Sequence, residues 1–162
     1  VLNASVQVRK PWKQITSEEF NLQVHVNLLS TLELMQLYGD HMAKQGWGRI
    51  VAIGSVQQYK PHPDMGVYAA TKAAQYNLVR NVAKQMASRG VTVNNISPGV
   101  IATPRNESVL SDPEYLKKVM DGIPCGYAGR AEDCSGGVLL LCSEEGRYIT
   151  GTDLVIDGGM HL

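Results

Sequence analysis

Apolar and polar positions along this chain fall into blocks whose period switches between that of a helix and that of a strand. Thr16-Ser17-Glu18-Glu19 reads as a capping box, in which a hydroxyl and a carboxylate three residues apart satisfy each other's backbone donors. Behind it Phe20, Val24, Leu28, Thr31, Met35, Tyr38 and Met42 recur at steps of three and four, which predicts a helix with one core-facing stripe. Asn27 falls beside that stripe, a polar residue against a buried face that neighbouring backbone could satisfy. Gly46-Trp47-Gly48 ends the helix, and residues 49–55 form a short apolar, β-branched run closing on Gly54-Ser55, the pattern of a buried parallel strand. Residues 67–89 contain neither Pro nor Gly and read as a helix stopped by Gly90. Residues 91–96 are the next strand, with Ser97-Pro98-Gly99 as its carboxyl-end loop. Residues 104–122, marked by Asp112-Pro113, read as a helical segment covering a substrate, and residues 132–143 as another helix. Leu154-Val155-Ile156 is the last strand. Strand and helix signals that alternate in this way predict parallel βαβ layering in a single domain, residues 1–162.

Chemistry concentrates at the head of the 67–89 helix. Tyr68 and Lys72 stand four residues apart and share one helix face, so an ammonium can sit beside a phenol. A phenol normally releases its proton near pH ~10, and a neighbouring cation favours the phenolate. Ser55 precedes Tyr68 at the carboxyl end of a strand, where open α/β sheets bind ligands. A hydroxyl, a phenol and an ammonium can therefore converge to polarise a carbonyl and pass it a proton. Ser55 does not read as a nucleophile, because Ile53-Gly54-Ser55-Val56-Gln57 lacks the Gly-x-Ser-x-Gly elbow. An exposed aromatic and lysine on an ordinary helix would show the same Tyr-x-x-x-Lys spacing.

Taken together, Leu2-Asn3-Ala4-Ser5, Asn27, Ser55, Tyr68-x-x-x-Lys72, Asn95-Ile96-Ser97-Pro98-Gly99 and Ile156-Asp157-Gly158-Gly159 resemble the classical branch of the short-chain dehydrogenase/reductase family along the whole chain. The resemblance implies an α/β, Rossmann-like, three-layer fold: a parallel sheet with helices on both faces, here without its amino-terminal strands. It implies an NAD(P)-dependent oxidoreductase that interconverts a secondary alcohol and a ketone. The implied catalytic set is Asn27, Ser55, Tyr68 and Lys72. Tyr68 would be the acid–base group, Ser55 would hold the substrate oxygen, and Lys72 would bind the nicotinamide ribose and lower the tyrosine pKa. Asn27 would stabilise a helix kink and an ordered water linking the lysine to solvent. The implied cofactor set is Asn3, Ala4, Tyr68, Lys72, Pro98, Gly99, Ile101 and Thr103, and the substrate set is Ser55, Gln57 and Tyr68.

The sequence departs from the family at its start. Leu2 stands for the first Asn and Ser5 for the Gly of an Asn-Asn-Ala-Gly motif, and no glycine-rich phosphate-binding turn occurs anywhere. A βαβ unit takes roughly 30 residues, so a missing amino-terminal portion on the order of 80–100 residues is expected. Val1–Ala4 would then be the family's fourth strand, exposed at an edge. The isolated chain is expected to bind NAD or NADP weakly and to be inactive. NAD cannot be told from NADP, because the selecting residue belongs to the absent part.

Composition narrows the partners. Fifteen basic and fifteen acidic residues give zero net charge with no basic block, which argues against nucleic acid. No apolar run approaches the ~18 residues of a membrane span, and a cytoplasmic location is expected. Cys125, Cys134 and Cys142 lack Cys-x-x-Cys spacing and fit neither a disulfide framework nor a zinc site, and Cys134 and Cys142 read as small buried hydrophobes. His25, His41, His62 and His161 share no metal-ligand spacing. His62 lies in the polar loop between Ser55 and Tyr68, which suits a sugar, sugar acid or polyol better than an apolar substrate. An extended-type epimerase would carry a larger substrate domain, and a non-catalytic module would have lost Ser55 or Tyr68. Leu29, Leu32, Leu34, Leu78, Val79 and Val82 lie beyond one core-facing stripe. In the family these helices pair with their copies, so a homodimer or homotetramer is expected.

Overall fold

The computed structural model describes residues 1–107 and 111–162. Three strands, β1 (Gly48–Ile53), β2 (Val91–Pro98) and β3 (Asp153–Ile156), form a parallel sheet in the order β1-β2-β3. Their registers align Ala52 with Asn95 and Asn95 with Asp153. The expected opening strand reduces to one parallel bridge on the free edge of β1. Leu2 N–H donates to Val51 C=O at 2.7 Å, and Ile53 N–H donates to Leu2 C=O at 3.0 Å.

Helices cover both faces, as expected. On one face α2 (Ser30–Gln45) and α3 (Gly66–Met86) pack Met35, Val79, Ala83 and Met86 against Ile50, Ala52, Val91 and Val93. On the other, Leu141 of α5 (Ala131–Cys142) closes over Val51 and Ile96. The strand pleat explains this division, because successive side chains of β1 go to opposite faces. Between them, α4 (Pro113–Asp121) is started by Asp112, whose side chain accepts from the Glu114 and Tyr115 amides. The segment expected to cover the substrate is thus helical at 113–121 and a short 3₁₀ turn at Pro104–Asn106, while residues 108–110 lie outside the described residues. No helix among the described residues is long and apolar enough to cross a membrane.

The capping box forms as read: Glu19 N–H donates to Thr16 Oγ1 at 3.2 Å, and Thr16 N–H donates to the Glu19 carboxylate at 3.1 Å. It opens α1 (Ser17–Val24), which runs through a π-helical turn (His25–Leu29) into α2. The expected apolar stripe needs correction here. Phe20 and Tyr38 are exposed, and the buried face runs Gln23, Asn27, Thr31, Met35, Gly39. Asn27 is therefore at the centre of the buried face and not beside it. The inward groups are polar because each finds a hydrogen-bond partner, which removes the cost of burying them. Val79 is also a core residue with no exposure, so it is not available to a second subunit.

Gly46 and Gly90 end α2 and the turn after α3 with left-handed φ of 68° and 76°. A Cβ on Gly90 would collide with the Gly46 carbonyl. The two helix ends meet there without side chains, which sets both helices at a fixed height against the sheet.

Candidate active site

Ser55 follows the end of β1 after Gly54 and caps a 3₁₀ turn (Val56–Gln58), its Oγ accepting from the Gln57 amide at 3.2 Å. The strand end is pressed tightly against β2, since a Cβ on Gly54 would run into the Asn95 side-chain amide. Asn95 is held in turn. Its Nδ2 donates to Asp153 Oδ1 at 2.7 Å, and the same carboxylate accepts from Ser97 Oγ at 2.8 Å, Gln58 Nε2 at 2.6 Å and Tyr59 O–H at 2.6 Å. Burial and the Asp153 carboxylate push the Tyr59 phenol up to about 12, so it remains a donor. One buried-edge carboxylate thus ties the turn carrying Ser55 to strands β2 and β3.

Tyr68 and Lys72 occupy the first turns of α3 and are both buried. Lys72 Nζ lies 5.9 Å from the Tyr68 ring centroid. It donates to Ile53 C=O at 2.7 Å, which anchors α3 to the end of β1, and to Gln75 Oε1 at 3.0 Å. Burial, helped by the Arg105 cation, pulls its pKa from 10.5 to about 8. No carboxylate among the described residues neutralises it, which is unusual for a buried ammonium.

Behind these residues lies a polar wall. Asn27 Oδ1 accepts from Val6 N–H at 2.8 Å, and its Nδ2 donates to Val6 C=O at 2.9 Å and to Thr71 Oγ1 at 3.0 Å. Gln75 Nε2 donates to Thr31 Oγ1 at 3.1 Å, and Thr31 Oγ1 donates to Asn27 C=O at 3.1 Å. Lys72 and Asn27 are therefore joined through two side chains, Gln75 and Thr31. In the sequence Gln75 does not stand out, and Thr31 reads only as a member of the apolar stripe, because buried polar groups carry no hydrophobic period of their own.

These elements open onto one cleft of about 830 Å³. Asn3, Ser55, Gln57, Tyr68, Lys72, Pro98, Gly99, Ile101 and Thr103 all line it. Ala4 and Asn27 do not: Ala4 is exposed outside it, and Asn27 sits within the polar wall behind it. The loop after β2 is pinned by Ala102 N–H donating to Gly129 C=O at 2.7 Å and by Asn106 Nδ2 donating to Ile101 C=O at 2.8 Å. Cys134 lines the cleft and is half-buried, as is Cys142, so neither is the fully buried small hydrophobe expected. Arg9, His62, Arg105 and Tyr115 also line it, and no Asp or Glu does among the described residues. Of these four, only His62 stood out in the sequence.

The arrangement matches known proteins throughout. The family model described as enoyl-(acyl carrier protein) reductase matches residues 1–161. The chain belongs to the short-chain dehydrogenase/reductase family. It is 35% identical to glucose 1-dehydrogenase of Gluconobacter oxydans over 100% of this chain and 61% of that protein. It is 36% identical to the 3-oxoacyl-(acyl-carrier-protein) reductase of Haemophilus influenzae, over 100% of this chain and 66% of that protein. The structure of a gluconate 5-dehydrogenase from Burkholderia cenocepacia in complex with NADP and tartrate superposes with a TM-score of 0.96 at 28% identity, covering 98% of this chain and 62% of that chain. The chain thus spans about three fifths of the length of these relatives.

Proposed function

We propose that the polypeptide carrying this chain is an NAD- or NADP-dependent oxidoreductase that interconverts a secondary alcohol and a ketone. The observation that carries this reading is the cleft where Ser55 at the β1 end and buried Tyr68 and Lys72 on α3 come together. The residues present fit the nicotinamide half of such a cofactor. An uncompensated ammonium, an exposed amide at Asn3 and the pinned backbone of residues 98–103 supply the donors and acceptors that a ribose and a carboxamide require. Lys72 would hold the ribose, and Asn3, Pro98, Gly99, Ile101 and Thr103 would face the nicotinamide. When bound, the cofactor supplies hydride exchange at the carbinol carbon.

The chain's own residues handle the proton. Ser55 Oγ donates to the substrate oxygen, and Tyr68 takes the hydroxyl proton in oxidation or gives it back in reduction. The Lys72 ammonium holds a positive charge beside that transfer, where the low-dielectric wall strengthens it. Asn27 enters as a positioning residue, with its amide committed to Val6 and Thr71 next to Lys72. A non-catalytic or inactive module is the second reading, and the joint retention of Ser55, Tyr68 and Lys72 in one cleft weighs against it. The polar loop with Gln57 and His62, together with relatives named for glucose and gluconate, supports a sugar, sugar acid or polyol as substrate.

The test is Tyr68→Phe in the full-length polypeptide, assayed with NAD and NADP. Turnover should fall at least ~10²-fold, the lower end of what a positioned acid–base group supplies. Near-normal turnover by a folded variant would remove Tyr68 from the role.

A further inference from the structure

Four side chains at one end of the cleft present donors to one another. Arg9 Nη2 donates to Tyr115 O–H at 2.6 Å, and its guanidinium lies over the Tyr115 ring, 5.1 Å from the centroid. The same Nη2 is 3.2 Å from His62 Nε2. His62 Nδ1 accepts from the Asp64 amide at 3.1 Å, so that nitrogen is bare and the neutral ring carries its proton on Nε2. Burial first, then the positive charges of Arg9 and Lys118, hold His62 below its ordinary pKa and favour that neutral ring, outweighing the Asp64 carboxylate 4.0 Å from Nδ1. Two N–H groups consequently face each other with no acceptor between them. Tyr115 already accepts from Arg9, which leaves its own hydrogen to give. Gln57 Oε1 accepts from the His62 amide at 2.7 Å, which leaves its NH₂ as the free end. No Asp or Glu lines the cleft, and no salt bridge engages Arg9 among the described residues.

A cluster whose acceptors are already engaged and whose remaining free groups are donors is a poor arrangement for an empty protein and a good one for an anion. We propose that Arg9, His62, Tyr115 and Gln57 form the subsite for the carboxylate of a sugar-acid substrate. The proposal rests on the oxidoreductase reading of the same cleft and narrows its substrate class from polyhydroxylated compounds in general to the anionic ones. A guanidinium matches a planar carboxylate with two parallel hydrogen bonds, and the two neutral donors fill the remaining lone pairs. Arg105 is placed differently: it donates to Ser5 C=O at 2.6 Å and stands by the loop after β2.

The experiment compares D-gluconate with D-glucitol, which differ at C1 by a carboxylate against a hydroxymethyl group. With the full-length polypeptide and NAD or NADP, kcat/KM should favour gluconate. Arg9→Gln should cut that preference at least ~10-fold, the lower end of what a hydrogen bond to a charged group is worth. Arg9→Lys, which keeps the charge without the planar fork, should restore only part of it. A matching loss of gluconate affinity should appear in calorimetric titration of the same variants. Equal use of both compounds, or an unchanged preference in Arg9→Gln, overturns the carboxylate subsite while leaving the oxidoreductase reading intact. A change confined to the KM of NADP overturns it too and reassigns Arg9 to a cofactor phosphate. Loss of all nicotinamide-linked turnover with every alcohol tested would remove both conclusions together.

Discussion

Asn27 reaches across 44 positions of sequence to donate its amide to Thr71 Oγ1 at 3.0 Å, the residue directly before Lys72. A single side chain thereby sets the π turn of the α1–α2 helix against the Tyr68–Lys72 end of α3 and, through Val6, against the segment that follows Leu2.

That arrangement makes Asn27 a stability position first. Asn27→Leu keeps much of the volume but strands the Val6 N–H and C=O at a part-buried interface. Each buried unpaired group costs about 1–3 kcal/mol, so a net loss of roughly 2–4 kcal/mol is expected. Urea unfolding of wild type and variant measures it. A loss below ~0.5 kcal/mol would mean that the Val6 segment finds other partners.

Lys72 predicts a pH effect of definite sign. Its folded pKa of about 8 lies below the 10.5 of an exposed lysine. Below pH 8 both states hold the proton, and the burial penalty on folding is present in full. Between about 8 and 10.5 the unfolded chain binds more protons than the native one, so stability rises with pH. The shift corresponds to roughly 3 kcal/mol across that window. Lys72→Met should lack this rise, and unfolding free energies at pH 7.5 and 9.5 for both proteins would check it.

Assembly gives another measurable outcome. Leu22, Leu29, Leu37 and Tyr38 on the α1–α2 side and Leu139 and Leu140 on α5 are exposed in the single chain. Apolar groups left uncovered on two separate helical faces fit a homodimer or homotetramer. Sedimentation equilibrium of the full-length polypeptide at micromolar concentration should give a multiple of the monomer mass, and a monomer would contradict it.

The parts of this fold that were legible in the sequence share a physical cause. β1, β2 and α3 are local runs ended by Gly-Ser, Pro-Gly and a left-handed Gly90, so pattern and punctuation agree. Ser55, Tyr68 and Lys72 were visible because strand end and helix turn fix them within a few residues of recognisable signals. Gln23 and Gln75 were hidden, since a face that is buried through hydrogen bonds looks exposed to any hydrophobic count, whereas Thr31 was already legible as part of the buried stripe. Phe20 and Tyr38 misled for the converse reason: they continue an apolar period that points outward. Asp153, Arg9 and Tyr115 could not have been found locally, because their partners lie 53 to 106 positions away.

The carboxylate of Asp153 gives the cleft an uneven capacity for change. Its four donors come from Gln58, Tyr59, Asn95 and Ser97, so the rear of the Ser55 turn is a single polar unit in which one substitution strands several groups at once. The front, at Gln57, His62 and Tyr115, rests on half-buried side chains that each accept a single hydrogen bond near the cleft mouth. A library intended to retarget specificity would therefore concentrate its diversity on those front positions and hold the rear constant.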